Sequence, residues 1–164
     1  MKDSPLWYNF DMSSETQYTR CIKQLEFMCR KSMSYNSWQK RTKYPVSVCP
    51  ICSESFEFVQ PQTHHHPRTL FSVVDSILQK HIDLEDLDDF TDFQICDEIM
   101  QAHFEKKVQY IVLCESCHKN YHSGVPSVLD IIDDLQIKQI QNIKDFYTKG
   151  YHGSADKKDT TDKT

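Results

Sequence analysis

Glycine is scarce in this chain, with 3 among 164 residues. Neither G-x-G-x-x-G nor G-x-x-x-x-G-K-[ST] occurs, which excludes a dinucleotide-binding fold and a glycine loop that cradles phosphates. Long apolar runs are missing too: none approaches the roughly 18 residues that a membrane span needs, so no membrane association is expected. The opening Met1-Lys2-Asp3-Ser4-Pro5 lacks the apolar core of a signal peptide. Positive charge is not in excess, because the net charge is -5 and the pI about 5.9. That balance excludes a uniformly basic nucleic-acid binder and leaves room for local patches. With 38% hydrophobic residues and a mean hydropathy of -0.62, part of the chain is expected to be solvated or covered by a partner. The length suits one modest domain with extensions.

Cysteine is present in a telling arrangement. Of 7 cysteines, four pair as C-x2-C: Cys49 with Cys52, and Cys114 with Cys117. An odd number with this spacing is metal arithmetic for a reducing compartment rather than a secreted disulfide framework. An intracellular location, in the cytoplasm or a host cell's cytoplasm, is therefore expected. A C-x2-C turn lets two sulfurs converge on one ion, and two such turns complete the tetrahedron of a structural zinc. Cys21, Cys29 and Cys96 lack partner spacing and read as small core residues.

Histidines cluster beside both cysteine pairs and exceed what that zinc could use. His118 and His122 stand four apart, so on a helix they share one face and can grip one ion. His64, His65 and His66 precede Pro67 on the other limb. If the zinc joins the limbs, one member of the triplet completes a second metal shell. Its neighbour, pointing the other way along an extended segment, is a candidate general base.

Away from these limbs the pattern is mostly helical. Cys21, Ile22, Leu25, Met28 and Cys29 recur at helical spacing. From Arg30 to Tyr44, cations alternate with rings and no acidic residue intervenes. Arg30, Lys31, Lys40, Arg41 and Lys43 could neutralise phosphates while Trp38 stacks on a base; a solvated basic loop anchored by its aromatics is the plainer alternative. Phe56 to Val59 suggests a short strand, Leu70 to Leu78 a helix after Pro67, and Phe93 to Phe104 another. Val108 to Leu113 is β-branched and reads as a strand feeding the second cysteine pair. Between the helices, residues 83–92 are strongly acidic and read as a solvated segment or a contact for a basic partner. Gly124 stops a helix, and Leu129 to Phe146 carries an apolar stripe that covers the core or docks a protein partner.

The order C-x2-C, His-His-His-Pro, then hydrophobic-Leu-Cys-x2-Cys-His-x3-His resembles the HNH endonucleases, the zinc-stapled His-Me finger nucleases. The resemblance covers about residues 49–124 and does not extend to the flanks. It implies an α+β fold: a small zinc-stapled ββα-metal core with added helices. It divides the chain into a helical and basic-aromatic extension at 1–44 and a zinc domain at 45–124. An acidic helical insertion occupies about 70–107, a C-terminal helix 125–148 and a disordered tail 149–164. By motif, Cys49, Cys52, Cys114 and Cys117 hold a structural Zn2+. His64, His118 and His122 ligate a second ion, Mg2+, Mn2+ or Zn2+, and His65 is the general base; a shift of one would give these roles to His65 and His66. The asparagine usual in the middle of the family's motif has no counterpart, since Gln109 or Lys107 stands there and Asn120 lies elsewhere in the pattern.

The function expected from this reading is metal-dependent hydrolysis of phosphodiester bonds in DNA. The alternative is a catalytically inactive zinc module that binds nucleic acid or protein as a transcription or replication accessory factor. A short chain with such flanks also suits a viral or phage origin.

Overall fold

The computed structural model describes residues 4–149. Most of that span is helical, and the strands form a single small sheet, so the fold class is α+β as expected. The helices are α1 (Glu15–Lys31), α2 (Met33–Lys43), α3 (Leu70–Asp83), α4 (Asp92–Phe104), α5 (Glu115–His122), α6 (Pro126–Leu129) and α7 (Ile132–Lys149). The strands β1 (Pro61–His65) and β2 (Tyr110–Cys114) pair with each other. No described helix is long and apolar enough to cross a membrane.

The chain folds as two compact units. Among the described residues, one holds 4–43 and 63–111 and the other 44–62 and 112–149. The N-terminal extension and the helical insertion, separate in sequence, therefore pack as one body. In it α1 lies against α2, α3 and α4, and α3 against α4. Ile22 and Leu25 of α1, Leu70, Val74 and Leu78 of α3, and Ile95 and Ile99 of α4 are fully enclosed. Their helical spacing turns one stripe of each helix inward, and that burial is what holds these helices in register. Thr69 caps α3 by accepting from Ser72 N, and Thr91 with Gln94 forms a capping box on α4. Caps of this kind contribute about 0.5–2 kcal/mol each by satisfying first-turn amides.

The second unit contains the first cysteine turn, the end of β2, and α5, α6 and α7. Val112, Leu113, Val128, Ile132 and Ile143 are its buried apolar residues. Gln139 on α7 clamps the strand: its side-chain amide donates to Val112 O at 2.9 Å, and its carbonyl accepts from Val112 N at 2.7 Å. A buried backbone pair that would otherwise cost free energy is thereby satisfied by one side chain. Gly124, at φ 70, ends α5 as its position suggested; only glycine adopts that conformation without strain.

Several expected elements differ. The basic-aromatic segment runs from the end of α1 through α2, so its plainer alternative as a solvated loop does not hold: Tyr35, Trp38 and Thr42 fall on one buried face. The strand expected at Phe56 to Val59 is absent: Val48 and Ser55 make only an isolated bridge, and Phe58 is 83% exposed. The strand forms at β1 instead, where the histidines lie. The C-terminal helix is divided into α6 and α7. In the acidic segment Asp86 accepts from His81, and Asp92 accepts from Leu6 N, so these two carboxylates serve internal contacts. The disordered tail expected at 149–164 lies outside the described residues, apart from Lys149, which ends α7.

Candidate metal centre

Cys49, Cys52, Cys114 and Cys117 converge, with their sulfurs all within 4.8 Å of one another. Two backbone bonds shape the first turn: Ser53 N donates to Cys49 O at 2.8 Å, and Cys49 N donates to Glu54 O at 2.9 Å. Ser53 closes it in the left-handed region at φ 61. The second turn is the start of α5. Cys114 is the N-cap, and its Sγ accepts from Cys117 N at 3.4 Å. One residue thus offers both a candidate metal donor and a helix cap.

Zinc with sulfur ligands at about 2.3 Å would set neighbouring sulfurs about 3.8 Å apart in a tetrahedron. Cys52 Sγ and Cys114 Sγ lie 3.6 Å apart, close to that edge. Burial pushes the Cys49 thiol up, but amides of Cys114, Cys52 and Ile51 pointing at its sulfur outweigh it and lower the pKa. Burial and the neighbouring sulfurs push Cys117 up. Four thiols that cannot all ionise without a compensating charge are the donor set that a divalent ion stabilises. The residues fit a structural zinc.

A second group lies close by. His118 and His122, both on α5, form a pair of nitrogen donors in the same unit as the four cysteines, and His64 lies on β1 in the other unit. His118 Nε2 and His122 Nε2 are 3.0 Å apart, the consequence of i,i+4 spacing on the helix that Cys114 caps. His64 is buried and His122 exposed. Burial and the adjacent His122 lower the His118 pKa, which favours the neutral, ligating imidazole. Two nitrogen donors leave coordination positions open to further ligands, water or substrate, as in catalytic rather than closed structural sites.

His65 points to the other side of β1, as strand alternation requires. It is buried, stacked on Trp38 with ring centroids 5.4 Å apart and on Tyr35 at 6.2 Å. Its Nε2 lies 3.0 Å from His103 Nε2. Burial first, then His103, Arg30 and His64, lower its pKa to about 3, so the ring is neutral at ordinary pH. His66 is also buried. His103 lies on α4, 38 positions from His65, and nothing in local sequence spacing ties the two together.

Among the expected nucleic-acid contacts, Arg30, Lys31, Lys40 and Arg41 are exposed and Lys43 half-buried. Arg30 pairs with Glu26 at 2.9 Å and lies over the Tyr35 ring. Lys31 lies over Phe27. Trp38 differs from expectation: it is 3% exposed and offers no face to a base, because the His65, His103 and Tyr110 rings enclose it.

Fold and cluster together define a small α+β protein with a four-cysteine grouping able to hold a metal ion and a histidine pair on the helix that follows it. The profile of the bacteriophage G278-like virion protein family matches residues 1–149, and the chain belongs to that family. No curated protein and no solved structure matches it.

Proposed function

We propose that this virion-family protein is a zinc-stapled, metal-dependent phosphodiester hydrolase acting on DNA inside the host cell. The observation that carries the reading is the His118–His122 imidazole pair on the helix that the second cysteine pair begins, a donor pair that leaves an ion open to further ligands. The resemblance of these motifs to the HNH nucleases supports the same reading.

On this reading Cys49, Cys52, Cys114 and Cys117 hold Zn2+ and fix the start of α5. His118 and His122, with His64, would ligate the second ion through ring nitrogens. Imidazole donors suit Zn2+ or another transition ion better than Mg2+, which prefers oxygen. When bound, such an ion supplies Lewis-acid stabilisation of charge on the phosphate oxygens. His65 accepts the proton of a water whose oxygen attacks phosphorus, while the bond from phosphorus to the leaving oxygen breaks and that oxygen takes a proton from solvent. The exposed Arg30, Lys31, Lys40 and Arg41 neutralise phosphates along the strand.

A second reading is a non-catalytic zinc module that binds nucleic acid or protein. Membership of a virion-protein family and the burial of His65 favour it. The expected protein contact through the acidic segment or the C-terminal helix belongs to this reading.

Nicking of supercoiled plasmid with Mg2+, Mn2+ or Zn2+ separates the two. The hydrolase reading expects metal-dependent nicking by wild type and a loss of about 100-fold or more in His65→Ala, the scale of a positioned acid–base group. Loss is also expected in a His118→Ala, His122→Ala double variant. No nicking by zinc-loaded wild type leaves the binding module.

A further inference from the structure

His65 and His103 form a buried pair whose hydrogen bonding has one consistent arrangement. His103 Nδ1 lies 2.7 Å from Ile99 O, one helical turn back on α4. A carbonyl oxygen only accepts, so Nδ1 of His103 carries the hydrogen. In a neutral ring Nε2 of His103 then keeps its lone pair. Across the 3.0 Å contact, His65 Nε2 must therefore donate. That leaves His65 Nδ1 as the nitrogen with a lone pair. The order is Nδ1 of His65, Nε2–H of His65, Nε2 of His103, Nδ1–H of His103, Ile99 O.

The surroundings fix the rings as well as the protons. Trp38 and Tyr35 stack on His65 with interplanar angles of 24° and 19°. They meet His103 edge-on, at 83° and 73°. His103 is 2% exposed and Trp38 and Tyr35 each 3%, so water has little access to compete for the bond. A ring turned over by half a rotation would give up its partner in a buried site, at the cost of an unmade hydrogen bond.

We propose that His103 is a positioning residue: it locks His65 in the Nε2–H tautomer, so that Nδ1 is the nitrogen available to accept a proton. This rests on the reading of His65 as a general base. His103 touches no substrate and acts through His65, as the groups behind metal-bound and catalytic histidines do.

The test uses the full chain with metals loaded and histidine rings labelled with 15N. Long-range 1H–15N correlations report which ring nitrogen carries hydrogen. Wild type is expected to show His65 protonated on Nε2 and His103 on Nδ1. In His103→Gln the side-chain carbonyl can still accept, so the His65 tautomer is retained and nicking is partly kept. In His103→Phe the acceptor is gone and the His65 spectrum shifts toward a tautomer mixture. The kcat for nicking then falls by about 10–100-fold, the usual effect of removing such a supporting partner, while KM and metal content hold.

An Nδ1–H His65 in wild type, or a His65 tautomer unchanged in His103→Phe, overturns the proposal. Should wild type fail to nick at all, the catalytic reading fails, and with it the kinetic consequence. The ring-nitrogen spectra decide the lock independently of that result.

Discussion

Removing the Trp38 indole would empty a space bounded by the rings of His65, His103 and Tyr110. Those rings belong to three different elements and cannot all close in. Trp38→Ala is expected to destabilise the protein by about 3–5 kcal/mol, the usual cost of truncating a buried aromatic. Denaturant unfolding measures it. An exposed base-stacking platform would change stability by no more than about 0.5 kcal/mol, so a value in that range would contradict the burial described here. Read along the sequence, Trp38 stands among cations and resembles a nucleic-acid contact. The helical turn that puts Tyr35, Trp38 and Thr42 on one side assigns it to the core instead.

Between elements, α3 and α4 are clipped by His81, whose ring donates on both sides when protonated. Nδ1 lies 2.7 Å from Asp86 Oδ1 and Nε2 2.7 Å from Glu98 Oε2, while Lys80 also reaches Glu98. Burial alone would lower the His81 pKa, but the bonds to Glu98 and Asp86 outweigh it and raise it. For Glu98 burial acts upward, and Lys80 and His81 outweigh it to give a lowered value. A raised histidine contributes stability in full below its unfolded pKa, and loses it as pH rises through the folded pKa. A lowered carboxylate contributes above its unfolded pKa, and loses it as pH falls through the folded one. The clip is therefore strongest between the two, in mildly acidic to neutral solution. Thermal unfolding across pH should show wild type well above His81→Gln in that window, the gap narrowing on the alkaline side. A gap that widens with rising pH would contradict the ion-pair account. The Gln139 clamp on β2 is a similar side-chain device between elements, and a glutamine on an apolar stripe gives no sign of it in the sequence.

For the whole molecule, the parts legible from sequence were those governed by short-range spacing. C-x2-C and His-x3-His fix ligands within one turn, so the cysteine group and the His118–His122 pair could be read directly. Alternation along a strand put His64 and His65 on opposite sides. The partition into two units was not legible, because it depends on α1 and α2 packing against α3 and α4 of the insertion, which residues 44–69 separate from them in sequence. His103 was missed for the same reason: its meeting with His65 is purely tertiary. The strand misplaced to Phe56–Val59 shows how a cysteine turn takes up chain that apolar alternation alone would call extended.

The most direct measurement is metal content, by elemental analysis of the purified chain against a His118→Ala, His122→Ala double variant and a Cys114→Ser variant. Two ions are expected in wild type: a tightly held zinc and a second, weaker one. The histidine variant should keep the zinc alone. The cysteine variant should lose it, with loosened amide protection in α5, which Cys114 caps. A single ion in wild type that the histidine variant retains would contradict the account, leaving His118 and His122 as neighbours of a structural zinc.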